Sequence, residues 1–296
     1  MHDLLKRLFV LYFTFTCINA SEVFIDTTKL NLAHITLSYQ YCKNTKTNNT
    51  LCKSKELSYI DYDDRDLPKF LKGLESHLSP LLTQYKNNDL KSSTLADLND
   101  FSGDISGEWS DKKSITLFAK TPSTYTLSTT SSGYSGGAHG YYAMEFENFS
   151  IETQKEIKLS DLFYNDFNTT LHNIAQDIYK KTYRLKTKQS LHDDGWFENK
   201  FVLAENFAIT SKGLLFYYNS YEIKPYSAGH TRFMLPYHKI KSIIKPEGIL
   251  GFVFQKSNDF NVSSHAKDVT TVTLSYAYIG VTGQQDFKNH SVYIGL

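Results

Sequence analysis

The chain has 296 residues, of which 41% are apolar, 15% aromatic and 21% charged, with a formal charge of +1. At that length about three quarters of the unfolded surface can be buried, so a core forms without a metal or a dense disulfide framework. Heavy use of Tyr (21) and Phe (20) against Pro (6) favours strands and excludes a disordered or Pro-rich linker protein, and the balanced charge excludes an electrostatic nucleic-acid binder.

Lys6 and Arg7 precede an uncharged run from Leu8 to Cys17, and Ile18-Asn19-Ala20 ends it on a small residue. This pattern reads as a secretory signal peptide over residues 1–20. The run is about ten residues long, against the roughly 20 that span a bilayer, so a mature chain starting near Ser21, periplasmic or secreted and without a transmembrane anchor, is expected. Thr14-Phe15-Thr16 before Cys17 lacks the Leu and the small residue of a lipoprotein processing site. Cleavage removes Asp3, Lys6 and Arg7 and brings the formal charge to zero. It also leaves two cysteines, Cys42 and Cys52, on either side of a polar stretch. A disulfide between them is the expectation for an exported protein, with Cα atoms about 4.4 to 6.8 Å apart. The competing zinc reading finds only His34 ahead of Cys42 in the mature chain and no close Cys or His pair to complete four ligands. No cofactor is expected.

In chain order, Ile35, Leu37 and Tyr39 alternate with polar residues as one half-buried strand requires. Asp66 stands as an N-cap before Leu67, Phe70, Leu71, Leu74 and Leu78, which make one apolar helical stripe broken near Pro80. The polar stretch 87–114 reads as loop or weak structure. Ile115, Leu117, Tyr125 and Leu127 mark strands interrupted at Thr121-Pro122, and Tyr141 to Phe146 reads as another. A second helix follows Asn168 or Thr169, with Leu171, Ile174, Ala175 and Ile178 on one side. It is expected to cover a sheet of Phe207–Ile209, Leu214–Tyr218 and Tyr221–Ile223, the first two joined through Ser211-Lys212-Gly213. Val272, Leu274, Tyr276 and Tyr278 give the clearest alternating strand. Strands and helices do not alternate regularly, so the reading is an α+β fold with a mainly antiparallel sheet covered by two helices. Its expected divisions are an N-terminal α+β region at 21–123, a second domain at 124–250 and a C-terminal β extension at 251–296.

Gly133-Tyr134-Ser135-Gly136-Gly137 matches the G-x-S-x-G nucleophile elbow in form, but the strand-like Tyr141–Phe146 follows where the elbow needs a helix. His139 stands among Gly136, Gly137 and Gly140, which open backbone conformations closed to other residues. Such an imidazole either ties the turn together or meets a partner. Asp61, Asp63, Asp64 and Asp66 invite a calcium reading, yet Asp66 and Lys72 occupy the positions where an EF-hand loop needs Gly and Glu. His192, Asp193 and Asp194 read as an exposed loop. Sequons begin at Asn48, Asn148, Asn168, Asn261 and Asn289, which matter only in a eukaryotic source.

From Gly136-Gly137-Ala138-His139-Gly140 the sequence resembles the C-terminal domain of lysozyme-sensing anti-sigma-V factors (RsiV), a domain shared with bacterial polysaccharide deacetylases of the PdaC type. The resemblance runs through Asp161-Leu162-Phe163, Phe207 and Ile209. It is strongest at Gly213-Leu214, Phe216, Tyr218, Tyr221-Glu222-Ile223, Pro225-Tyr226, Gly229 and Leu235-Pro236-Tyr237. Residues from about 24 to 123 are loosely similar to the small domain that precedes it. Neither the sigma-binding segment nor the deacetylase's catalytic domain has a counterpart here. The resemblance therefore implies an exported, non-catalytic cell-envelope binding protein whose partner is a lysozyme-like protein or a peptidoglycan-type glycan. The glycines at 136, 137, 140 and 229 permit close backbone approach and Tyr221 and Tyr226 flank them, so the Gly136–Gly140 loop and the Tyr221–Gly229 segment are expected to form one surface site, with ligand contacts at His139, Gly137, Tyr221, Glu222 and Tyr226. The alternative is a small envelope hydrolase using His139 and Glu222, or Ser135, because a His–carboxylate pair is the minimum equipment for proton transfer.

Overall fold

The computed structural model describes residues 32–44, 50–62, 107–186, 188–255, 269–279 and 285–295, with single positions at 78, 79, 94 and 96. The described strands are β1 (Leu32–Asn44), β2 (Thr50–Tyr62), β3 (Gly107–Lys120), β4 (Thr124–Tyr134), β5 (Tyr141–Ser150), β6 (Phe207–Ile209), β7 (Gly213–Tyr218), β8 (Thr231–Pro236), β9 (Val269–Ile279) and β10 (Gln285–Gly295). Helix α1 spans Phe167–Thr182 and the single turn α2 spans Tyr237–Ile240. Seven strands form one sheet in the order β5-β4-β3-β2-β1-β10-β9, and β6-β7-β8 form a second. Among the described strands only β2 and β3 pair in parallel, so the fold is α+β on largely antiparallel sheets, as the sequence pattern implies.

Cys42 lies directly opposite Cys52 in the β1–β2 register. The two form a disulfide with Cα atoms 4.0 Å apart, slightly closer than expected because opposed residues of an antiparallel pair approach to about 4.5 Å. The large sheet contributes Leu57, Tyr59, Ile60, Ile115, Leu117, Tyr125, Leu127 and Phe149 to one buried cluster, with Leu78 among them. Leu78 and Ser79 are helical. The rest of the helix expected from Leu67, and Asp63, Asp64 and Asp66, lie outside the described residues. The polar stretch 87–114 holds the first part of a strand. β3 starts at Gly107, because Gly107–Ile115 pair with Leu51–Tyr59 along a parallel partner that no local pattern announces. The domain boundary expected at 123/124 falls in the turn between β3 and β4, which are paired along their length in one sheet. The strands within the expected 251–296 extension join that same sheet beside β1.

Helix α1 begins at Phe167 and buries Phe167, Leu171, Ala175 and Tyr179. These positions recur every four residues and so share one face. That face meets Leu214, Phe216, Phe233 and Leu235 of the second sheet, with Trp196 and Phe201 filling the same core. The third strand of this sheet is β8 and not Tyr221–Ile223. Tyr221 takes φ 71°, a left-handed conformation that cannot continue a ladder. Its N–H bonds the Lys224 carbonyl at 3.1 Å, closing a turn.

The two sheets are joined by asparagine side chains. Asn148 of β5 donates to Phe207 O at 2.8 Å and accepts from Ile209 N at 2.8 Å, so it serves the outer edge of β6. In return Asn206 accepts from Phe146 N at 2.8 Å and donates to Met144 O at 2.6 Å on the outer edge of β5. Asn148 is 2% exposed, so its sequon is closed to a glycan in the folded protein.

Candidate functional site

The turn between β4 and β5 is built on its glycines. Gly136 has φ 84° and packs on Trp109, where a Cβ would stand 2.9 Å from the indole Nε1. A Cβ on Gly140 would come within 2.7 Å of the Gly133 carbonyl. Gly137, by contrast, has open surroundings and is exposed. This geometry presents the Gly140 carbonyl to two side chains. His139 Nδ1 lies 2.8 Å from it, and the Tyr226 hydroxyl donates to it at 2.8 Å across 86 residues of chain. A carbonyl oxygen only accepts, so Nδ1 donates in this bond. The His139 and Tyr226 rings stack at 3.8 Å and 15°. Tyr221 extends the set, 5.6 Å from Tyr226 and 6.5 Å from His139, and is 58% exposed.

The loop that carries Tyr221 and Tyr226 runs from the end of β7 to the start of β8 and is pinned at three points. At its start Asn219 accepts from Met144 N at 2.7 Å and donates to Met144 O at 3.1 Å. In its middle Lys224 is 6% exposed. Its Nζ contacts Asp194 Oδ2 at 2.9 Å and lies 4.8 Å from the Tyr183 ring centroid. Asp194 also accepts from the Tyr179 hydroxyl, which in turn accepts from Trp196 Nε1 at 2.7 Å. Burial, and secondarily the bond to Asp194, push the Tyr179 hydroxyl far above the usual phenol range. The third point is the Tyr226–Gly140 bond. The three rings thus sit on a fixed frame.

Of the sequence-level candidates, His139, Tyr221 and Tyr226 come together. Glu222 lies on the same loop but spends its carboxylate on Asn219 Nδ2 at 3.1 Å. Among the described residues no hydrogen bond joins it to His139. Ser135 is exposed in the turn, and a strand follows where an elbow needs a helix. His192 Nδ1 bonds Trp196 O at 2.9 Å and Asp193 accepts from Ser190 N at 3.1 Å, so both brace their own loop. Two grooves of about 570 and 610 Å³ open elsewhere, the first beside Phe146, Phe167 and His172, the second beside Ser123 and Ile249. Neither is lined by the ring trio, which forms a ridge.

Sequence reasoning missed Lys224, Tyr142, His230 and Arg232, and it read Asp194 as part of an exposed loop where the structure sets it against Lys224 and Tyr179. The buried alternation of Thr231, Phe233 and Leu235 was the available signal for the strand that places His230 and Arg232.

Residues 160–238 match the model of a family described as a protein of unknown function, DUF3298. They are a DUF3298 domain. It contains α1, β6, β7, β8 and the loop bearing Tyr221 and Tyr226, while His139 lies before it. The crystal structure of a DUF3298 family member from Bacteroides fragilis superposes with a TM-score of 0.54 at 19% identity, covering 75% of this chain and 98% of that one. A DUF3298 family protein from Pseudomonas aeruginosa gives 0.52 at 19% identity, covering 73% and 95%. At such identity the likeness is one of fold. Comparison with curated proteins finds no match.

Proposed function

We propose that the chain is an exported, non-catalytic cell-envelope binding protein that holds a peptidoglycan-type glycan or a lysozyme-like protein on the Tyr221–Tyr226–His139 ridge. The observation that carries this reading is the exposed three-ring surface locked through the Gly140 carbonyl. Rigid aromatic rings lose little entropy on docking and dominate binding energy where they are pre-positioned. The Cys42–Cys52 disulfide and the signal-like residues 1–20 fit an oxidising compartment. The resemblance to the exported domain of the lysozyme-sensing anti-sigma-V factors supplies the partner class. The hydrolase reading loses its base–carboxylate pair, because Glu222 is engaged by Asn219.

The test is co-sedimentation of the mature protein with insoluble peptidoglycan, beside capture on immobilised lysozyme. Binding to one of them that falls at least tenfold in Tyr221→Ala and Tyr226→Ala supports the reading. Equal binding by wild type and both variants places the contact surface elsewhere.

A further inference from the structure

Beside the ridge stands a second cluster with a different chemistry. Tyr217 and Arg232 are directly paired across β7 and β8, so their side chains leave the sheet on the same face. His230, two positions before Arg232, sets its ring 5.6 Å from that of Tyr217 at 23°, and 4.9 Å from that of Tyr142 of β5. The backbone at Arg232 is fixed: its N–H donates to the Tyr183 hydroxyl at 3.1 Å, and that hydroxyl donates to the Arg232 carbonyl at 3.0 Å.

What separates this cluster from the ridge is its unspent hydrogen-bonding capacity. In the ridge, His139 Nδ1 and the Tyr226 hydroxyl are both committed to Gly140 O. Here the Arg232 guanidinium, the Tyr142 and Tyr217 hydroxyls and the His230 ring nitrogens make no hydrogen bond or ion pair with the described residues, and Tyr217 is only 3% exposed. The Tyr217 ring is buried, but its hydroxyl still reaches solvent and is open to a ligand. Burial raises the Tyr217 phenol well above its usual range.

We propose that Tyr142, Tyr217, His230 and Arg232 form a binding subsite for a carboxylated sugar, a sugar acid within a glycan. Each part of such a ligand has a match. Its carboxylate takes the planar guanidinium fork of Arg232, which suits two-pronged recognition of that group, with phenol donors beside it. The apolar face of its ring lies against the Tyr142–His230 pair. A neutral sugar leaves the guanidinium unpaired, and a small carboxylate leaves the rings uncovered. The proposal rests on the glycan branch of the ridge reading and deepens it.

The test is titration of the mature protein with glucuronic acid, glucose and acetate, followed by amide chemical shifts, for wild type, Arg232→Gln and Tyr226→Ala. Glucuronic acid is expected to bind at least tenfold more tightly than either glucose or acetate, and Arg232→Gln to abolish that preference while keeping the wild-type unfolding midpoint, since Arg232 is exposed. Equal affinity for glucuronic acid and glucose, or an unchanged preference in Arg232→Gln, overturns the subsite. Peptidoglycan capture that survives Arg232→Gln but fails in Tyr226→Ala, with no glucuronic acid preference, overturns the subsite and leaves the ridge standing. An Arg232-dependent preference for glucuronic acid, with peptidoglycan and lysozyme both ignored, upholds the subsite and overturns the ridge reading alone.

Discussion

Asn148 and Asn206 stand on facing strand edges and each satisfies the backbone of the other's neighbourhood: Asn148 bonds Phe207 O and Ile209 N, and Asn206 bonds Met144 O and Phe146 N. An open sheet edge normally offers unpaired amides to any passing strand. Here two carboxamides close the edges and weld the sheets together. Replacing Asn148 by Ala leaves a buried N–H and a buried carbonyl without partners, at a cost of about 1–3 kcal/mol. Urea unfolding of Asn148→Ala should show that loss, together with a rise in edge-mediated aggregation. A variant as stable as wild type would mean that water replaces the clasp.

Tyr226→Phe keeps the ring stack on His139 and removes only the hydroxyl bond to Gly140. Stability should fall by about 1 kcal/mol, the net worth of one such bond, with ligand binding partly retained. Tyr226→Ala also removes the ring and should abolish binding at a similar folding cost, because Tyr226 is only half buried. A loss of several kcal/mol in both variants, with any folded protein binding normally, would make this contact purely structural.

Reducing the Cys42–Cys52 bond, or replacing both residues by Ser, should lower stability by roughly 3 kcal/mol and leave the ridge intact. The bridge crosses one end of the β1–β2 pair, remote in sequence from the Tyr221–Gly229 loop. Differential scanning calorimetry of the double variant, beside a binding assay, checks both halves of the statement.

His230 gives the pH dependence a definite sign. Burial, and secondarily the Arg232 charge, hold its pKa below the ordinary 6.5. Above pH 6.5 the ring is neutral folded and unfolded. As the pH falls below that value the unfolded chain takes up the proton first, so stability is lost. Denaturation at pH 8 and pH 5.5 should show a larger acid loss for wild type than for His230→Phe. Equal losses would show that His230 protonates as easily in the folded protein as outside it.

The elements read most easily from the sequence were those marked by local spacing. The alternation in β1 and β9, the turn at Thr121-Pro122, the strand from Tyr141 and the Leu171–Ala175 face of α1 all lie on the page as spacing. Tyr221–Ile223 misled for a physical reason: a hydrophobic-looking triplet carries no mark of the positive φ at Tyr221 that turns it out of the sheet. The start of β3 was hidden because its polar residues are ordered by a parallel partner distant in sequence. In the candidate site, the glycines around His139 flagged the turn, and the resemblance brought in Tyr221 and Tyr226. Lys224, Asp194 and Arg232 gave no local sign, because each acquires its setting from a neighbour on another element.

The register that sets Ala33 of β1 against Ile294 of β10 makes this protein's large sheet a late event in its own synthesis. β2 through β9 must emerge before that side of β1 has a partner, whereas the DUF3298 core draws only on a compact span of sequence. During emergence β1 therefore waits with one flank bare while α1 and its three strands can already close. Contacts of such long separation also slow folding. A chain truncated before β10 would leave that flank bare permanently, and the expected cost is strand-to-strand association between copies, with the ridge itself still correctly formed.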